Sequence, residues 1–235
     1  MSNYQFGDRT TSGNINTQGD KTFTFGALPD SSPAPSSAAE EATTTGPDPA
    51  TEPDPDLRRN VFVVHGRDNE VRDAMFDLLR KLDLQPLEWE SLVRATKDAT
   101  PYLGKVVLNA PKLAQVALVL LTPDDVVRLH PKLHGPYEPY FEAENVCQPR
   151  PNVLLELGMA MMAYPERTLI VEVGRLRPIA DIAGLNVIRF DGTADAVGKI
   201  VERLKTAGAK VNDVGSAWRD LRPFATFDAY RRAPE

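Results

Sequence analysis

Cys147 is the single cysteine among 235 residues, so no intrachain disulfide can form and a reducing, cytoplasmic home is expected. Long apolar runs are missing as well. The best, Val116 to Leu121, has six residues, against roughly 20 for a membrane-spanning helix. Behind Met1-Ser2-Asn3-Tyr4-Gln5 there is neither a basic region nor an apolar stretch, so no secretory leader and no membrane partner are expected. No Gly-x-x-x-x-Gly-Lys-Ser/Thr loop occurs, and no Gly-x-Gly-x-x-Gly follows the first apolar run, which removes the fingerprints of ordinary NTPases and nicotinamide dehydrogenases. Basic excess is lacking too. Residues 1–58 hold nine acids and three bases, the whole net charge of −6, and the remaining 24 bases and 24 acids cancel. A neutral globular part has no electrostatic footprint for a phosphate backbone, so nucleic acid is not an expected partner. His130, His134 and Cys147 lack the paired spacing of a zinc site, and no metal is expected.

What is present divides the chain into parts. Residues 27–58 are rich in Pro, Ala, Ser, Thr and acids, with Pro29, Pro33, Pro35, Pro47, Pro49, Pro53 and Pro55 and almost no large apolar side chain. Such a stretch cannot bury enough surface to offset its ordering entropy and reads as a disordered, extended linker. Residues 1–26 differ, with Tyr4, Phe6, Ile15, Phe23 and Phe25 set among Gly, Asn, Gln and Thr. That mixture has strand potential and is compatible with stacking between chains, or with plain disorder. The main domain is expected over residues 59–208. In a C-terminal extension, residues 209–235, the irregularly spaced Trp218, Phe224, Phe227 and Tyr230 are expected to pack back onto it.

From Arg59 the pattern alternates strand and helix. Val61-Phe62-Val63-Val64 is an apolar run of buried-strand length, and Val71, Met75, Leu78, Leu79 and Leu82 then recur at helical spacing up to a close near Lys81. A second short strand is expected around Pro86-Leu87-Glu88-Trp89, then a polar loop from Glu90 to Thr100 and a helix opened by Thr100 and Pro101. Val116 to Leu121 carries no charge, as a central parallel strand covered on both faces should. A long loop rich in Pro, His and Tyr runs to Pro149, followed by a helix, strands at Leu169–Val173 and Val187–Phe190, and a last helix from about Ala194 to Ala207. Five strands with intervening helices predict an α/β, doubly wound, five-stranded parallel sheet with helices on both faces.

In such a sheet the ligand crevice lies outside the carboxyl ends of the strands, near the switch in strand order. Three polar clusters fall there: His65-Gly66-Arg67-Asp68 after the first strand, Thr122-Pro123-Asp124-Asp125 after the third, and Arg150-Pro151-Asn152 at a helix start. Asn152 is expected to cap that helix, leaving Val153, Leu154, Leu157, Ala160 and Met161 to the core. Glu156 is then a lone carboxylate among leucines. Desolvating it costs free energy unless a partner or ligand compensates, so it is either half of a structural ion pair or a residue with chemistry to do. Each other candidate has two readings. His65 either faces a ligand or ends its strand as a satisfied polar cap. Asp124 and Asp125 either bind a ligand or open a helix, and Trp89 either stacks on a base or packs in the core.

The blocks Val61 to Asp68, Val119 to Asp125, Arg150 to Gly158 and Asp181-Ile182-Ala183-Gly184-Leu185, in that order, resemble the successive motifs of bacterial TIR-like domains over about residues 59–192. The resemblance implies a flavodoxin-like TIR fold and hydrolysis of NAD+ with no further cofactor. It makes Glu156, in Asn-Val-x-x-Glu-Leu-Gly, the catalytic residue, and points to His65, Gly66, Arg67, Asp68, Trp89, Thr122, Asp124, Asp125 and Asn152 for substrate contacts. Arg67 stands where such domains often carry histidine, and residues 128–149 match no motif of the family. The resemblance also implies a defence effector that works when assembled into a homo-oligomer or recruited by a sensor protein. Residues 1–26, with Gly13 to Asp20 somewhat similar to short amyloid-type signalling motifs, are one candidate for assembly. Two other functions stay open at this point: a nucleoside deoxyribosyltransferase-like enzyme, and a nucleotide-binding scaffold without turnover.

Overall fold

The computed structural model describes residues 57–98 and 100–234; the expectations for residues 1–26 and for the linker up to residue 56 lie outside that range. Five strands form one sheet. They are β1 (Asn60–Val64), β2 (Gln85–Leu87), β3 (Val116–Leu121), β6 (Thr168–Val173) and β7 (Ile188–Phe190), separated by a two-stranded ribbon of β4 (Asp125–Val127) and β5 (Val146–Gln148). The sheet order is β2-β1-β3-β6-β7, and every pair is parallel, with Val63 opposite Leu118, Leu118 opposite Leu169 and Val171 opposite Ile188. The strand order therefore reverses between β1 and β3, which puts the two loops leaving their carboxyl ends side by side.

Alternation along the strands builds two apolar layers. Val61 and Val63 of β1 and Val116, Leu118 and Leu120 of β3 face one way, where α1 (Asn69–Lys81) and α6 (Ala194–Thr206) cover them with Val71, Met75, Leu79, Val197, Ile200 and Leu204. Phe62, Val64, Ala117, Val119 and Leu121 face the other way, under α2 (Trp89–Ala95), α3 (Leu103–Asn109) and α5 (Pro151–Ala163). Both faces of the central strands are dry, which is why those runs contain no charge.

Several local expectations give way to the structure. Glu90 to Thr100 is not all loop. Leu92 is buried and Val93 packs behind it, which is enough to wind Trp89 to Ala95 into α2, so Trp89 opens a helix rather than ending a strand. Helix α3 starts two residues later than Thr100 and Pro101 suggest, with Tyr102 at its N-cap. Asp124 and Asp125 open no helix; Asp125 begins β4, which pairs antiparallel with β5. Between those short strands lies α4 (Tyr140–Ala143), so residues 128–149 are a folded ribbon. Asn152 does not cap α5. Pro151 takes the first helical position, Arg150 becomes the N-cap without a side-chain bond, and Asn152 is left exposed.

The C-terminal extension lies on the α1/α6 layer. Phe224 and Phe227 are buried there, with their rings 5.3 and 6.4 Å from that of Phe190. Two glycines admit it. Gly192 and Gly174 both have φ of +77°, and a Cβ would stand 2.5 Å from the Phe224 carbonyl oxygen and 2.2 Å from that of Ala229, respectively. No helix among the described residues is long and apolar enough to cross a membrane.

Candidate functional site

The β1 and β3 loops meet at Asp124. Its Oδ2 accepts from the Arg67 backbone N–H at 3.2 Å and its Oδ1 from the Thr122 hydroxyl at 3.0 Å. Gly66 is required by this approach, since a Cβ at that position would sit 1.7 Å from Asp124 Oδ2. Burial holds the Asp124 carboxyl above its ordinary value, against two hydrogen bonds that favour the anion. Thr122 itself is buried. The third cluster joins through Asp125, whose carboxylate lies 3.8 Å from the Arg150 guanidinium. All three polar clusters thus converge at the switch point.

Asp68 has a different environment. It accepts from the Val71 N–H at 3.0 Å as the N-cap of α1, and its Oδ2 is 3.0 Å from Arg232 while the side chain is only 3% exposed. Arg232 also donates to the Pro123 carbonyl at 3.3 Å, so one guanidinium from the C-terminal extension ties the β1 and β3 loops together. Nothing in the spacing of the sequence signals this, because the pair is far apart along the chain. His65 turns its ring edge-on to Phe76 of α1, with centroids 6.0 Å apart. Its Nδ1 lies 3.0 Å from the Gly66 carbonyl oxygen. Histidine 65 therefore belongs to the α1 layer.

Glu156 belongs to the opposite layer. It lies three residues after Val153 and four before Ala160, both buried, and so flanks the buried stripe of α5, with Leu154 and Met161 packed along the other flank. Among the described residues its carboxylate makes neither an ion pair nor a hydrogen bond. Burial alone pushes it up to about 7 from an ordinary value of 4.5. The structural ion pair that the sequence allows for Glu156 is not formed among the described residues. Trp89 borders the same layer, tilted against Phe62 at 6.4 Å between centroids.

A second acid has a similar setting. Glu172 stands inside β6 opposite Arg189 of β7, in a cleft of about 330 Å³ lined also by Leu121, Ile179 and Ile182. Burial raises its carboxyl, and Arg189 works against that shift. The sequence carried the signal, a single acid within Leu169-Ile170-Val171-Glu172-Val173, the same mark that singles out Glu156.

This architecture can be compared with known proteins. A family model described as CAP12/Pycsar effector protein, TIR domain, matches residues 60–192, more than half of the chain. The chain belongs to this family. Its parallel sheet of order β2-β1-β3-β6-β7 with helices on both faces is the flavodoxin-like TIR fold, and the protein is a bacterial TIR-type defence effector. Among curated proteins there is a local likeness to a glutamate–tRNA ligase of Chloroflexus aurantiacus (strain ATCC 29366 / DSM 635 / J-10-fl), 38% identical over 66 residues. The match takes in 26% of this chain and 12% of the ligase, a fragment of that enzyme's length. Within the TIR domain, the β1 and β3 loops and the start of α5 form one polar rim, with the Glu156 carboxylate one turn further along α5.

Proposed function

We propose that the TIR domain hydrolyses NAD+ at the bond between ribose C1′ and the nicotinamide nitrogen, with Glu156 as the catalytic residue. The observation that carries this reading is the Glu156 carboxylate itself, half-buried on α5 with no ion pair or hydrogen bond among the described residues and raised to about 7 by burial. An acid kept at that cost without a partner is poised to interact with something that arrives.

The chemistry asks for one anion. The pyridinium nitrogen of NAD+ already carries positive charge, so nicotinamide leaves with the bonding pair as a neutral molecule and needs no proton. Positive charge develops on the ribose, where a carboxylate stabilises it directly or through the sugar hydroxyls, as at glycosidase centres. Water then adds to C1′ and loses its proton to solvent, giving ADP-ribose. The cationic ring also favours the ionised form of Glu156 on binding. His65, Gly66, Arg67, Asp124, Asp125 and Asn152 are proposed to form the rim that receives the ribose and pyrophosphate, and Trp89 to border the base. Asp68 and Thr122, both buried and already bonded within the protein, are proposed to hold that rim in place rather than to touch the substrate. NAD+ is substrate here, with no resident cofactor. Cytoplasmic action, with activity switched on by homo-oligomerisation through the TIR domain and residues 1–26 or by a sensor protein, completes the proposal.

Nicotinamide release from NAD+ by concentrated protein tests it, with Glu156→Gln alongside and circular dichroism to verify folding. Loss of about a hundredfold to a thousandfold in a folded variant is expected. Release of free base from deoxynucleosides with NAD+ left intact would mark a deoxyribosyltransferase-like enzyme instead, and no turnover of either would mark a scaffold.

A further inference from the structure

We propose that the cleft between α4, β5, the turn after β6 and the end of the C-terminal extension binds a small phosphate-bearing aromatic ligand of mononucleotide size. It encloses about 460 Å³, within the usual range for small-molecule sites. Among the described residues its lining has four arginines, Arg175, Arg177, Arg231 and Arg232, and one acid, Glu144. That local excess stands out in a globular part whose charges cancel as a whole.

The four guanidinium groups are not equivalent. Arg232 is committed, with Nε and Nη2 on Asp228, Nη2 on Asp68 and Nη1 on the Pro123 carbonyl. Arg177 is anchored through Nη2 by Glu142 and keeps its other donors. Arg175 and Arg231 are exposed and have neither an ion pair nor a side-chain hydrogen bond among the described residues. Three guanidinium forks with donors to spare line one cleft, and such forks match a phosphate, whose oxygens accept them in pairs. Beside them stand aromatic and apolar side chains. Tyr140 is 60% exposed although Phe141 holds its ring edge-to-face at 5.6 Å, and Leu176 and Tyr230 face the same space. An exposed, oriented aromatic ring next to an anion site is a stacking platform for a base.

No residue of α5 lines this cleft, so the inference goes beyond the reaction assigned to Glu156 and stands or falls separately. Isothermal titration of the full-length protein with 5′-AMP, adenosine and inorganic phosphate is the test; 5′-AMP has no nicotinamide bond to cleave. The expected result is that 5′-AMP binds about tenfold or more tighter than either half. Arg175→Gln combined with Arg231→Gln should weaken it about tenfold or more, as lost charged hydrogen bonds do. Tyr140→Ala should weaken it severalfold, and Glu156→Gln should leave it unchanged. Because Arg175 and Arg231 hold no other element among the described residues, the double variant should keep the wild-type circular dichroism. No binding of 5′-AMP at about 10 mM, binding untouched by the double arginine change, equal binding of adenosine or phosphate, or loss on Glu156→Gln would each overturn the proposal.

Discussion

Glu156→Gln should stabilise the protein, and only above acidic pH. The folded carboxyl is raised to about 7 while its ordinary value is 4.5, so the folded state binds more protons than the unfolded state between those limits. Below pH 4.5 the group is neutral in both states and costs nothing. As pH rises through the interval, the unfolded chain ionises first and stability falls, levelling off above about pH 7. The gap of about 2.5 pH units at 1.36 kcal/mol each sets a ceiling of about 3.4 kcal/mol. Glu156 is partly open to solvent, which screens its charge, and about 1–2 kcal/mol is the reasonable expectation. Glutamine has the same shape and no charge to desolvate. For a domain of this size that gain corresponds to a rise in Tm of about 2–8 °C at pH 8, and to no rise at pH 4. Thermal unfolding of both proteins from pH 4 to pH 8 measures it. Equal Tm values at pH 8, or a variant less stable throughout, would refute the claim that this carboxylate lies buried without a partner. If it stabilises a ribosyl cation, wild-type turnover should rise through the same interval as the group ionises, so activity is gained where stability is lost.

The other expectations concern the framework. Arg232→Ala leaves the buried Asp68 carboxylate without its partner and should cost about 2–4 kcal/mol in urea unfolding; adding Asp68→Asn, which can still cap α1, should recover most of it. Gly66→Ala drives a methyl group into Asp124 Oδ2 and should cost about 1–3 kcal/mol, a loss that Asp124→Ala in the same chain relieves. Phe224→Ala empties a buried site against Phe190 and Phe227 and should lower stability by about 3–5 kcal/mol, with a fall in urea midpoint as the readout.

The sheet could be read from the chain because its central strands are dry on both faces, and a run such as Val116 to Leu121 has few other uses. The switch-point rule then located the β1 and β3 loops together without any side-chain geometry. Short elements escaped. α2 has only Leu92 and Val93 to mark a helical face, and Trp89 favours strands by propensity, so local preference pointed the wrong way. β4 and β5 are three residues each, too short to show alternation. At α5, the conformational fit of Pro151 to the first helical position set the helix start one residue ahead of the cap that Asn152 would have made. Glu156 was conspicuous by its neighbours. Its lack of a partner among the described residues depends on what the fold brings near it, which no spacing encodes, and the same holds for Arg232 on Asp68.

Arg232 also gives synthesis an order. The loops after β1 and β3 are made early, but their shared clasp follows Pro123 by 109 residues, so a growing chain can lay down the sheet while its polar rim is still unfastened. A polypeptide that stops short of that arginine keeps α5 and loses the clasp. Residues made after the sheet is complete thereby fasten a rim whose loops were made before it.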